Sequence, residues 1–119
     1  MKFVRISSLV IGLGMVGQWL FFLLTNNVPE IQTAPVSISF HLTIELLTAL
    51  ILISVFFLLR ETTEKKRYFA VYGQGMLGYT VVNSAGYFAQ SGDWMFLIMF
   101  SLLLCVSVVN TLKLMRGGI

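Results

Sequence analysis

ISFHLTIELLTALILISVFFLL, residues 38–59, decides how this chain folds. It is an apolar run of about 20 residues, the length at which a helix rising about 1.5 Å per residue crosses the hydrocarbon core of a bilayer. Within it stand the one histidine of the chain, His41, and Glu45, the one carboxylate inside any such run. Similar runs cover residues 3–24, 68–89 and 94–112. The 119 residues are 57% hydrophobic and 11% charged, more apolar surface than a soluble domain of this size can hide. The expectation is a single all-α integral membrane domain over residues 1–119, with four transmembrane helices in an up-down-up-down bundle.

Charge sets the expected orientation. Lys2 and Arg5 open the first run, Arg60, Lys65, Lys66 and Arg67 separate the second from the third, and Lys113 and Arg116 follow the fourth. The two connections on the other side hold no basic residue and carry Glu30 and Asp93. By the positive-inside rule both termini and the 60–67 connection lie in the cytoplasm, in a plasma (inner) membrane. So complete a bias argues against dual topology, so a homo-oligomer of this chain would have parallel subunits. The basic balance does not indicate nucleic acid, because no extramembrane domain carries a binding face. The first run is too long for a signal-peptide core, and "TNNVPEIQTAP" after it offers no convincing cleavage site, so it is read as a retained helix. The single Cys105 has no partner in the chain and reads as a small hydrophobe.

The connections are short: "TNNVPEIQTAPVS" holds both prolines, "RETTEKKR" is highly charged and "QSGD" is a tight turn that makes the last two runs antiparallel neighbours. "GLGMVGQW" (12–19) in the first run is echoed by "GQGMLGYT" (73–80) in the third. Both fit G-x-G-x-x-G, but the dinucleotide fingerprint needs a strand, a turn and a helix start whose amides are open to a pyrophosphate. Inside a membrane helix those amides are spent. Gly12, Gly14, Gly17, Gly73, Gly75 and Gly78 are instead expected to let helix backbones approach.

The polar residues of the spans form a pattern. Gln18, Glu45, Asn83 and Ser101 each lie about seven residues, roughly 10 Å, below the outer end of their run. His41 is one turn above Glu45 on the same face, and Tyr72, Tyr79, Asn83, Tyr87 and Gln90 make a stripe along the third run. Gln74 lies about 180° from Asn83 and is expected to face elsewhere. A carboxylate at this depth turns inward, because lipid exposure is costly. Uncharged, Glu45 can donate to Asn83 or Gln18; ionised, it calls for His41 as imidazolium, or a cation.

Several readings stand side by side. The leading one is a polar cavity in the outer half of the bundle, lined by Glu45, His41, Asn83, Gln18, Tyr79, Tyr87 and Ser101, that binds a small or lipid-like ligand. The alternatives are a structural or accessory subunit whose polar layer only fixes packing, and a proton- or cation-coupled small transporter. Catalysis is less favoured: His41 and Glu45 form an acid/base pair without a convincing nucleophile. Two ligands fall short of a zinc site, so no metal and no cofactor are expected. The partners are membrane lipids and that ligand. In size and layout the chain is similar to DoxX-like proteins and small multidrug resistance transporters, a likeness of organisation only. The exporters place their essential glutamate in the first helix, where this chain has Gln18, so no residue role carries over.

Overall fold

The computed structural model describes residues 2–26 and 28–116. These residues form helices and connections, with no strand among them. The helices are α1 (Lys2–Leu24), α2 (Glu30–Thr33), α3 (Pro35–Leu58), α4 (Glu64–Gln90) and α5 (Trp94–Met115). Three of them, α1, α3 and α5, are long and apolar enough to cross a membrane, which marks a membrane protein. The longest helix, α4, is not apolar enough to join them, because it gathers all four tyrosines together with Gln74, Asn83 and several glycines.

Helix α1 ends and α5 begins where their apolar runs do, but the starts of α3 and α4 follow capping chemistry instead. The α3 helix begins three residues before Ile38, because Pro35 suits the first helical turn, where its missing N–H costs nothing. Thr63 caps α4, its hydroxyl accepting from the Lys66 N–H at 3.3 Å, so the helix starts inside the charged connection. Short α2 interrupts the first connection, which the sequence reading leaves as a loop. Between α4 and α5, Gly92 adopts φ +74°, its N–H donating to the Ala89 carbonyl at 3.1 Å and that of Asp93 to Phe88 at 2.9 Å. This pair of bonds is a Schellman motif, and it requires the left-handed conformation that glycine adopts without strain.

The closest packing is α1 on α3 and α4 on α5, with α3 also against α4 and a sparser contact of α1 with α5. Contacts far apart in sequence bring the start of α1, the end of α3 and the end of α5 together. Arg5 donates to the Phe56 carbonyl at 2.9 Å and Lys113 lies over the Phe3 ring at 5.2 Å. We call this the basic end.

The interior is layered along the long axis. At the basic end Val4, Val55, Leu59, Ala70 and Leu114 form one apolar cluster. Ile11, Met15, Ala49, Leu52, Leu77, Val81 and Phe100 form a second, nearer the far end. A hydrogen-bonded polar layer lies between them. Gln74 Nε2 donates to the Ser8 hydroxyl at 3.0 Å, Ser107 to the Gln74 carbonyl at 2.8 Å, and Asn110 Nδ2 to the Ser7 hydroxyl at 2.9 Å. Gln74 is 1% exposed and Asn110 0%. The sequence reading turned Gln74 away from Asn83, and it is Gln74 that faces the core while Asn83 lies on the exposed side.

The glycines divide by geometry. A Cβ on Gly12 would stand 2.9 Å from the Ala49 carbonyl oxygen and 2.8 Å from Ile53 Cγ1. On Gly73 it would meet Ile51 Cγ2 at 2.7 Å, so α3 is closely approached by both α1 and α4. Gly78 makes only ordinary contacts, with Ser107 and Leu104. Gly14, Gly17 and Gly75 have no neighbour within 4 Å and do not serve helix packing within the chain. Gly14 and Gly17 lie two and five residues from Gly12, and Gly75 two from Gly73, so at about 100° per residue they point away from the face that meets α3.

Candidate functional site

Beyond the second apolar cluster, α1 and α3 stand apart from α4 and α5 and leave a cleft of about 650 Å³. Each long helix contributes to its wall: Met15, Gln18, Trp19 and Phe22 from α1, Ile38, His41 and Glu45 from α3, Thr80, Ser84, Tyr87 and Phe88 from α4, and Phe100 from α5. The wall is apolar with a few polar groups converging on one region, the usual make-up of a small-molecule site.

Glu45 is the centre of that region. It is 6% exposed, yet its Oε1 has no hydrogen-bond partner. His41 Nε2 stands 3.8 Å from the same oxygen, close enough for electrostatic attraction but too far for a hydrogen bond. Trp19 and Ser84 are hydrogen-bonding neighbours of the carboxyl group. Trp19 also meets His41 edge to face, with ring centroids 5.6 Å apart. His41, Trp19 and Ser84 thus surround the carboxyl from three helices. On the facing side Phe88 is braced by Phe96, stacked at 4.5 Å, and by Phe100 at 5.6 Å.

Of the residues expected here, Glu45, His41, Gln18, Asn83 and Tyr87 line the cleft, Gln18 half-buried and Asn83 and Tyr87 exposed. Tyr79 and Ser101 do not. Tyr79 is 71% exposed and belongs to a tyrosine stripe that runs along the outer surface of α4. Ser101 is exposed, and its hydroxyl donates to the Leu97 carbonyl of its own helix at 2.9 Å. Equal depth along a helix does not fix rotation about it, and α5 turns Ser101 outward while Phe100 turns inward.

Ser84, Thr80 and Ser37 are polar lining residues that the polar layer omits, and Trp19, which accompanies Gln18 on the first run, lines the cleft with it. A signal for two of them existed: Thr80, Ser84 and Tyr87 recur at spacings of four and three and so share one face of α4. Glycine-rich 12–17 and 73–78 lie within α1 and α4, where backbone amides are consumed by the helix. Among the described residues no group of three or more His, Cys, Asp or Glu comes together as metal ligands.

The profile of a domain of unknown function, DUF8058, matches residues 1–117. The chain belongs to the DUF8058 family. No curated protein and no solved structure matches it.

Proposed function

We propose that this DUF8058 protein crosses a plasma (inner) membrane four times, as an up-down-up-down bundle with both termini in the cytoplasm, and that its outer cleft binds a small or lipid-like amphiphile. In this reading α4 is the fourth span. Its 27 residues measure about 40 Å against a molecule 47 Å long. Gln74 and Thr80 are covered by neighbours and Asn83 and Ser84 line the cleft, which offsets part of its lower hydropathy. The gathering of all eight basic residues towards one end supports the orientation.

One observation carries the binding role: a carboxyl that is nearly fully buried in the wall of a cleft, with one oxygen left without a hydrogen bond. An ionisable group kept within a span costs stability, and such groups mark binding or relay sites. The packing role is taken by the polar layer nearer the basic end, whose side chains bond one another across helices. The outer residues are arranged differently: among the described residues neither Gln18 nor Asn83 bonds the Glu45 oxygen that lacks a partner.

Native mass spectrometry of the gently extracted protein and of Glu45→Gln tests this reading. A stoichiometric small-molecule or lipid adduct on the wild type, lost from a variant of unchanged helicity, is expected. Adduct-free spectra for both, or the same adduct on both, would refute a site centred on Glu45.

A further inference from the structure

The chemistry of the cleft is lopsided in charge. Among the described residues that line it there is one carboxyl group, Glu45, and no lysine or arginine. All basic residues lie on the connections and helix ends of the opposite side, Arg5 being the deepest, and Arg5 is committed to the Phe56 carbonyl. The nearest group able to carry positive charge is His41, at 3.8 Å. Trp19 stands beside this carboxyl, and Phe22, Tyr87, Phe88 and Phe100 add aromatic rings to the wall of the same cleft. Ring faces carry negative electrostatic potential and attract organic cations, most strongly where water is excluded. A buried carboxylate needs a counter-charge in the same place.

Resting on the ligand-binding role proposed above, we propose that the ligand of the outer cleft is an amphiphilic organic cation, its ammonium-type head against Glu45 and its apolar body among Trp19, Phe22, Phe88 and Phe100. A cation completes the unmatched Glu45 oxygen in a way that a neutral lipid tail does not. An anion is disfavoured by the same carboxylate. Compact inorganic cations are served less well: Asn83, Ser84 and Thr80 bring oxygen atoms to the wall, but among the described residues no second carboxyl lines the cleft with Glu45. Trp19 touches both Glu45 and His41, so its emission reports occupancy of the head-group position.

The test uses a matched pair of probes, benzyltrimethylammonium and its carbon isostere neopentylbenzene, which differ in charge at nearly constant shape. The protein carries Trp94→Phe, which leaves Trp19 as its one tryptophan, and is reconstituted into phosphatidylcholine vesicles. Trp94 opens α5, is largely exposed and does not line the cleft. Trp19 emission is titrated with each probe, and concentrations are corrected for partition into protein-free vesicles. The ammonium should saturate the signal at a concentration at least tenfold below that of the hydrocarbon. Adding Glu45→Gln should weaken the ammonium at least tenfold and leave the hydrocarbon within twofold, with helicity unchanged.

Equal affinities for the two probes in the wild-type cleft, or an ammonium affinity unaffected by folded Glu45→Gln, overturn the cation assignment and leave the cleft a binding site for neutral amphiphiles. If neither probe moves Trp19 emission at saturation, the ligand-binding role falls and the cation assignment with it. Should Glu45→Gln fail to fold, the charge preference of the wild-type cleft decides alone.

Discussion

Gly12→Ala is the substitution whose outcome the structure fixes most closely. The new Cβ would sit 2.9 Å from the Ala49 carbonyl oxygen and 3.3 Å from the Ile53 amide nitrogen. Both are backbone atoms, so neither can rotate aside as the Ile53 side chain can. Restoring an ordinary contact of 3.4 Å to the carbonyl moves α1 away from α3 by roughly 0.5 Å. Overpacking of this kind costs about 1–3 kcal/mol. Alanine also improves helix propensity by about 1 kcal/mol, which masks part of that cost. Gly14→Ala supplies the correction: it lies on the same helix with open space around its Cβ and gains the same propensity. The difference between the two variants therefore isolates the packing cost, and Gly12→Ala should be less stable than Gly14→Ala by about 1–3 kcal/mol. Unfolding in mixed micelles of rising sodium dodecyl sulfate fraction, followed by helicity, measures it. Two variants of equal stability would show that α1 does not approach α3 this closely.

Other expectations are equally specific. In a double-mutant cycle on the same unfolding assay, Ser8→Ala and Gln74→Leu should couple by about 0.5–2 kcal/mol, whereas Ser101→Ala and Gln74→Leu should be additive. Gly92→Ala places a Cβ on a residue at φ +74° and should cost about 1 kcal/mol; a neutral result would argue against the Schellman turn between α4 and α5. Tyr79→Phe and Ser101→Ala should leave adduct binding in native mass spectra within twofold of the wild type, while Trp19→Leu and Ser84→Ala should weaken it several-fold.

How much of this was readable in the chain differs between its levels. The apolar runs located four long helices, three of them long and apolar enough to cross a membrane. The starts of α3 and α4 lay elsewhere, since Pro35 and Thr63 start helices by backbone and capping chemistry that hydropathy does not register. Spacing put Gln74 and Asn83 on opposite faces of α4 correctly. Which face turns inward depended on Ser8 and Ser107, 66 and 33 residues away, and no local pattern carries that information. The same gap separates Glu45 from Ser101. Glu45 turns inward because a carboxyl in lipid is expensive. Ser101 has no such constraint, because its hydroxyl is satisfied by the carbonyl one turn back.

That contrast explains why one molecule holds two polar layers of different kinds. In the layer at the basic end, small hydroxyls oppose amides: Ser8 faces Gln74 and Ser7 faces Asn110, at distances of 3.0 and 2.9 Å. Short side chains there draw the helices together and close the interior. In the outer layer the groups are long or bulky, Trp19, His41, Glu45 and Phe88, and rings hold the helices apart. Between the two, Ile11, Leu52 and Leu77 form a dry partition. That partition separates the cleft from Gln74, so the cleft and the closed polar layer sit at opposite ends of four shared helices. Replacing bulky groups of the outer layer by small ones should therefore shrink the cleft, and replacing Ser8 by a larger side chain should loosen the basic end without touching Glu45.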